Sequence, residues 1–121
     1  MIENKSVVTY GKSQLDLVNS GLDGVSSILR GGSEEEKSSL LFCLERFFDP
    51  YFNSKLPYED ELAVLLQELL FENNSDSIVE DIVQLLWYYS KPLNILKENF
   101  SDLPENARRE ITERDLFEFR E

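Results

Sequence analysis

The stretch that decides the fold is LPYEDELAVLLQELLFENNSDSIVEDIVQLLWYYS, residues 56–90. It holds eight acidic residues and no Lys or Arg, yet it is also among the most apolar parts of the chain. Its apolar residues recur at the three- and four-residue spacing of amphipathic helices, and three polar residues at 73–75 separate two such runs. The stretch therefore predicts two helices, 58–72 and 77–89, joined as an antiparallel hairpin that carries its negative charge on folded structure.

The two predicted helices differ in how much of their surface is apolar. The first follows Pro57, has three acidic residues in its first turn, and carries a single apolar stripe. The second begins with a predicted capping box between Ser77 and Glu80 and is apolar on two sides, which predicts neighbours on more than one side. The predicted stripes are Leu62, Leu65, Leu66, Leu69 and Leu70 in the first helix, and Ile78, Ile82, Leu85 and Tyr89, extended by Val79, Val83, Leu86 and Trp87, in the second.

Upstream of this hairpin the sequence predicts two more helices. The spacing of apolar residues from Leu15 to Leu29 predicts one helix over 14–30, which Gly21 and Gly24 weaken and the pair Gly31-Gly32 ends. Ser33, with Glu36 three residues later, is a capping box that predicts a helix over 34–48. The dipeptide at 49–50, Asp-Pro, should end that helix.

These segments together predict one all-α domain, 1–121, of about six helices in a compact antiparallel array. Residues 1–13 are predicted to form a flexible or irregular arm, and residues 105–121 a C-terminal helix that is prone to fraying. Three Leu-rich fragments, at 40–44, 65–69 and 85–89, are loosely alike, which is compatible with helix pairs of the HEAT or armadillo type.

Composition excludes several classes of protein. A chain of 121 residues with 41% apolar residues can bury one core, and its net charge of −12 repels nucleic-acid phosphates and anionic lipids. We therefore expect neither nucleic-acid nor membrane partners. The single cysteine, Cys43, excludes an internal disulfide and is predicted to be a buried, inert thiol. The N-terminus shows no signal peptide, so a cytoplasmic location is predicted.

The residues needed for most catalytic and metal sites are absent from the sequence. The chain has no His, which excludes Ser-His-Asp and Cys-His catalysis and most zinc sites. The Gly31-Gly32 pair lacks the spacing of a phosphate-binding loop, and the acidic run 72–81 lacks the ligand spacing of an EF-hand. We predict a protein that is not an enzyme and needs no cofactor or metal. The remaining catalytic alternative, a small hydrolase with two facing carboxylates, would require an ordered pocket.

The predicted function therefore lies on the surface. By helical periodicity three acidic residues of the first hairpin helix share an arc of about 40°, and two more lie on the second. An ordinary solvated face is the alternative interpretation, and Tyr51, Phe52 or the 105–121 tail are the other places where a partner could bind. The predicted partner-binding residues are Tyr58, Glu61, Glu68, Glu72, Glu80, Asp81 and Tyr88.

The segment from Leu56 to Leu62, continued through Leu85 to Pro92, resembles small acidic helical immunity proteins of bacterial toxin systems, including polymorphic toxins and contact-dependent inhibition. In those families the immunity protein blocks a toxin domain, often a cationic nuclease, by covering its active site or an adjacent surface. The resemblance implies a non-catalytic protein that neutralises a cognate toxin through an acidic helical surface. The alternative is a helical-repeat adaptor or regulator whose basic partner is not a toxin.

Overall fold

A computed structural model describes residues 11–48, 56–89 and 91–117, and in these ranges the regular structure is entirely helical. This confirms the all-α class. A short 3₁₀ turn at Phe100–Asp102 lies between the last two helices. The helices are α1 (Lys12–Ser20), α2 (Leu22–Gly31), α3 (Glu34–Phe48), α4 (Glu59–Leu69), α5 (Asp76–Tyr88), α6 (Asn94–Glu98) and α7 (Glu105–Glu113).

The first predicted helix, 14–30, is in fact two helices, and the prediction of one continuous element was wrong. Gly21 separates α1 from α2 with φ 129° and ψ 179°, a backbone conformation that a residue with a Cβ rarely adopts. Because α1 begins at Lys12, residues 12 and 13, which were predicted to belong to an irregular arm, are helical. Residues 1–10 of that arm lie outside the described ranges.

The start of α3 agrees with its sequence signal. The backbone N–H of Glu36 donates to Ser33 Oγ at 3.1 Å, and the N–H of Ser33 donates to Glu36 Oε1 at 2.8 Å. This reciprocal pair confirms the predicted capping box and satisfies two donors that a helix N-terminus otherwise leaves unpaired. The bounds of α3, Glu34–Phe48, are those that the sequence predicts.

The start of α5 differs from its prediction. Ser75, not Ser77, is the N-cap residue, and its Oγ accepts a hydrogen bond from the N–H of Ile78 at 3.3 Å. The same hydroxyl donates to Glu34 Oε2 at 2.8 Å, so it also ties the start of α5 to the start of α3. The predicted box between Ser77 and Glu80 was therefore wrong, because the helix already begins at Asp76.

The principal contacts join helices that are one or two positions apart in the chain. Contacts between helices two positions apart in the chain place the helices in two rows, α1–α3–α5–α7 and α2–α4–α6. Stacked helix pairs are arranged in this way. The most extensive contact is between α3 and α5, followed by that between α5 and α7, whereas α4 and α5 touch less. The second helix of the predicted hairpin, α5, therefore packs more extensively on α3 than on α4, its partner in the hairpin.

The core contains the apolar residues that the periodicity selected, with one clear exception. All five residues of the predicted α4 stripe are buried, as are the α5 residues from Ile78 to Leu86 that were predicted to face neighbours. Trp87 was predicted to extend the α5 stripe, but 49% of its surface is exposed. Cys43 is fully buried as a free thiol, and burial raises the pKa of that thiol.

The C-terminal segment contributes to this core. Ile111 of α7 and Leu116, which follows α7, are buried, and Phe117 packs edge-to-face on Phe100 with ring centroids 6.1 Å apart. The segment predicted to fray, 105–121, is therefore packed as far as residue 117, and residues 118–121 lie outside the described ranges.

Truncation of core leucines should separate buried from exposed positions. We expect Leu69→Ala and Leu85→Ala, both at 1% exposure, to lower the free energy of unfolding by about 2–5 kcal/mol, because each leaves a cavity. The control is Val64→Ala at a position that is 42% exposed, for which we expect a loss of less than about 1 kcal/mol. Urea denaturation followed by circular dichroism measures both, and equal losses at the three positions would contradict the assigned core.

The break between α1 and α2 gives a second prediction. Gly21→Ala should destabilise the protein by about 1–3 kcal/mol, because Ala would be strained at φ 129°. Gly31→Ala, at the end of α2 where an added methyl group would meet open space, should instead stabilise it by about 0.4–1 kcal/mol. Thermal unfolding should show a lower melting temperature for Gly21→Ala and a higher one for Gly31→Ala. A melting temperature raised by Gly21→Ala would contradict the strain assigned to a residue with a Cβ at this position.

Candidate protein-binding surface

The described residues carry many exposed carboxylates but few other groups that commonly form metal or catalytic sites. The chain has no His, and among residues 11–48, 56–89 and 91–117 no group of three acidic or Cys side chains is placed to hold a metal ion. Across the same ranges, no helix combines the length and apolar character needed to span a membrane. The arrangement that remains to be explained is the distribution of exposed carboxylates over α4 and α5.

The predicted helix 58–72 ends at Leu69, so Glu61 and Glu68 lie exposed on α4 whereas Glu72 lies three residues beyond it. Of these three carboxylates, those of Glu68 and Glu72 are already paired. Arg30 of α2 lies across from α4, where its Nη2 is 3.2 Å from Glu68 Oε1 and its Nη1 pairs with Glu72. The absence of Lys and Arg from residues 56–90 suggested an uncompensated stripe, yet the fold brings a base from another helix. Because these side chains are about half exposed, each pair contributes at most about 1 kcal/mol.

A groove of about 370 Å³ runs between α2 and α4. Val64, 42% exposed, contributes apolar surface to it, while Arg30 and Glu68 pair across it. We call this the α2–α4 groove, and its residues are Leu22, Asp23, Ser26 and Arg30 of α2 with Glu61, Val64, Leu65 and Glu68 of α4.

Two further carboxylates of the α2–α4 groove are those of Asp23 and Glu61. Within the described part of the chain, these two side chains make no ion pair or hydrogen bond. Both residues line the groove, and Glu61 lies one turn before Val64 on α4. Asp23 is not among the predicted residues, because that prediction considered only the acidic and aromatic residues of 56–90. The contact of α2 with α4 is what adds Asp23 to the acidic face.

The acidic residues of α5 lie in a different environment. Glu80 is exposed, whereas Asp81 is partly buried beside Glu45 of α3 and near Arg114. Burial, followed by the charges of Glu80 and Glu45, raises the pKa of Asp81 to about 6, and Arg114 acts in the opposite direction. A small cavity of about 90 Å³ lies here, which we call the α3–α5 cavity, lined by Leu41, Phe42, Glu45, Asp81, Gln84 and Leu85.

The two predicted aromatic anchors are both engaged within the protein. The Tyr58 hydroxyl donates to the carbonyl oxygen of Val18, so Tyr58 ties the start of α4 to α1. The Tyr88 hydroxyl lies 3.4 Å from Glu45 Oε2, and its ring packs edge-to-face on Trp87 with centroids 5.5 Å apart. The more exposed aromatic side chains are Trp87 and Phe42, at 49% and 44%, and the prediction included neither.

The seven predicted residues therefore do not form one continuous acidic face. Glu68 and Glu72 pair with Arg30 in the row that contains α2 and α4, whereas Asp81 and Tyr88 lie beside Glu45 in the row that contains α3 and α5. Helical periodicity places residues around one helix but does not say which neighbour covers each side. A role for any of these residues in binding a partner stays a prediction.

Comparison with known proteins found no relative: no protein-family model, no curated protein and no solved structure matches this chain.

The raised pKa of Asp81 predicts a stability change with pH. In the unfolded chain the carboxyl has an ordinary pKa near 3.8, so the folded state holds the proton more tightly. Below about pH 4 the Asp81 carboxyl is protonated in both the folded and the unfolded state, so it does not affect stability. Between about pH 4 and pH 6 its ionisation increasingly destabilises the folded state, and above about pH 6 this effect is complete. Asp81→Asn should therefore raise the melting temperature relative to the wild type at about pH 7.5 and leave it nearly unchanged at about pH 3.5.

The matched control for this prediction is Glu98→Gln, which neutralises an exposed carboxylate on α6. Differential scanning calorimetry at several pH values compares the two variants with the wild type. A melting-temperature gain for Asp81→Asn that is the same at both pH values would contradict the assigned cause.

Proposed function

We propose that this chain is a non-catalytic protein that binds a basic protein partner, and that the partner is a bacterial toxin domain which it neutralises. The observation that carries the proposal is the imbalance of charge on the α2–α4 side. Four carboxylates, those of Asp23, Glu61, Glu68 and Glu72, lie there, and among the described residues Arg30 is the base that faces them. A protein with a net charge of −12 that displays such a surface on packed helices favours a partner of opposite charge.

The requirement for fast capture supports this kind of partner. Opposite charges steer two proteins together and raise the association rate by orders of magnitude at low salt. A neutralising protein benefits from this because its partner does damage until it is bound. Asp23, Glu61 and Glu68 lie on helices whose inner faces are buried in the core, so the backbone that carries these carboxylates is fixed before the partner arrives.

The second candidate function, a helical adaptor, is favoured by the two rows of helices. Helix pairs that stack by alternate contacts present extended surfaces on which other proteins commonly bind. An adaptor would use the same acidic surface, but its partner would not be toxic. The two functions therefore differ in what the partner does when the chain is absent.

Purification of the partner, followed by a growth assay in which the partner is expressed, distinguishes the two functions. A tagged copy of the chain is used to purify its partner from the native cells, the partner is identified by mass spectrometry, and its gene is then expressed alone in a bacterial host. We expect growth arrest, and recovery of growth when this chain is co-expressed. An unrelated acidic protein of similar net charge serves as the control, because general charge neutralisation would rescue equally with both.

Binding of the purified partner measured at increasing salt completes the test. The association rate should fall as salt rises, since charges on the surface are screened beyond about 8 Å at physiological ionic strength. A captured partner that is harmless when expressed alone would support the adaptor function instead. An association rate that does not change with salt would contradict the role of charge.

A further inference from the structure

We infer that the α2–α4 groove is the docking site for a Lys- or Arg-bearing segment of the partner, with the cation at Asp23 and Glu61 and a neighbouring apolar side chain against Val64. The inference rests on the proposed function and adds the place and the chemistry of recognition. Of the predicted partner-binding residues it retains Glu61 as the one that meets the cation, since Glu68 and Glu72 pair with Arg30.

The first observation is the exposure of Val64. On α4 the residues on either side of it, Ala63 and Leu65, are buried, whereas Val64 leaves 42% of its surface uncovered in the groove. Val64 is three residues after Glu61 and four before Glu68, so all three lie on one side of the helix. An apolar contact between two carboxylates suits a segment that carries both a cation and an apolar side chain.

The second observation is that the two ends of the groove differ in charge. At one end Arg30 pairs with Glu68 and Glu72, so these carboxylates already have a cation. At the other end Asp23 and Glu61 have none within the described part of the chain. A cation from a partner would gain most at the unpaired end, while an anionic segment would be repelled along the whole groove.

The third observation concerns length. From Glu61 to Glu68 the helix rises about 10 Å, at about 1.5 Å per residue, which is two turns. A groove of this length and of about 370 Å³ accepts adjacent side chains of a docked segment rather than a whole small domain. The groove thus specifies a short recognition element, a basic residue beside an apolar one.

The α3–α5 cavity is a weaker candidate for the same cation. Its volume is about 90 Å³, and the carboxylate of Glu45 already accepts from the Tyr88 hydroxyl. Asp81 is partly buried and lies near Arg114, which has itself a carboxylate partner in Glu110 at 2.6 Å. This cavity is therefore the rival site that the experiment must distinguish.

The test uses a synthetic amphipathic peptide that carries Lys and Leu at helical spacing. Its control is the same peptide with every Lys replaced by Glu. The peptide is titrated into ¹⁵N-labelled full-length protein. We expect saturable shifts at Asp23, Ser26 and Val64, with no shift of the Trp87 indole signal. Trp87 is the single tryptophan of the chain and follows Gln84 and Leu85 of the rival cavity by less than one turn, so its indole resonance reports on that side of the molecule.

Matched variants then separate position from overall charge. Asp23→Lys with Glu61→Lys, and Glu45→Lys with Glu80→Lys, each change the net charge from −12 to −8. We expect the first pair to weaken peptide binding at least about tenfold and the second to change it less than about threefold. Val64→Ser should weaken binding several-fold, and circular dichroism verifies that each variant keeps its helical content.

Three results would overturn the inference: no saturable binding, shifts centred on Phe42 and Trp87, or equal losses for the two double variants. The proposed function is judged separately, with the captured partner. A partner that is neutralised equally well by the wild type and by the Asp23→Lys, Glu61→Lys variant would leave the function standing and refute the groove. Specific binding of the peptide in the absence of any basic cellular partner would refute the function alone.

Discussion

Burial of α5 is the constraint on which the rest of the structure depends. This helix is apolar on two sides, and it packs against α3 on one side and α7 on another. Six of its side chains are buried, so it cannot be removed or rotated without opening the core. Because α5 is held in the row of odd-numbered helices, α4 is free to contact α2 and α6 in the other row, and its acidic side remains open to solvent.

The candidate binding surface follows from the break at Gly21. If residues 12–31 formed one straight helix, α1 could not turn back so that Leu17 packs beside Gly24 of α2. The positive φ of Gly21 allows that turn, and it places Asp23 and Arg30 opposite α4. Gly21 thus allows the first layer of packing, while the contact of α2 with α4 decides which charges meet across the groove.

Some of the acidic side chains form ion pairs with Arg or Lys within the protein, whereas others have no basic partner among the described residues. Arg30 bridges Glu68 of α4 and Glu72, which follows the end of α4. Lys91 pairs with Asp60, whose pKa is lowered first by the hydrogen bond from Lys91 and then by that from Tyr89. These exposed pairs contribute little to stability but decide which carboxylates remain available to a partner. Asp23 and Glu61 stay unpaired in the described part of the chain, so the negative charge of the α2–α4 groove that Arg30 does not balance lies at these two residues.

The sequence by itself determined the helical class, the capping box at Ser33 and the buried stripes of α4 and α5, because periodicity and capping are local properties of the chain. Only the tertiary structure decided which helices are neighbours, since equal apolar stripes do not specify a partner. For that reason the pairing of Arg30 with α4, the exposure of Trp87 and the separation of the acidic residues into two rows could not be read from spacing. The missing information is the distance between residues far apart in the chain, which only packing supplies.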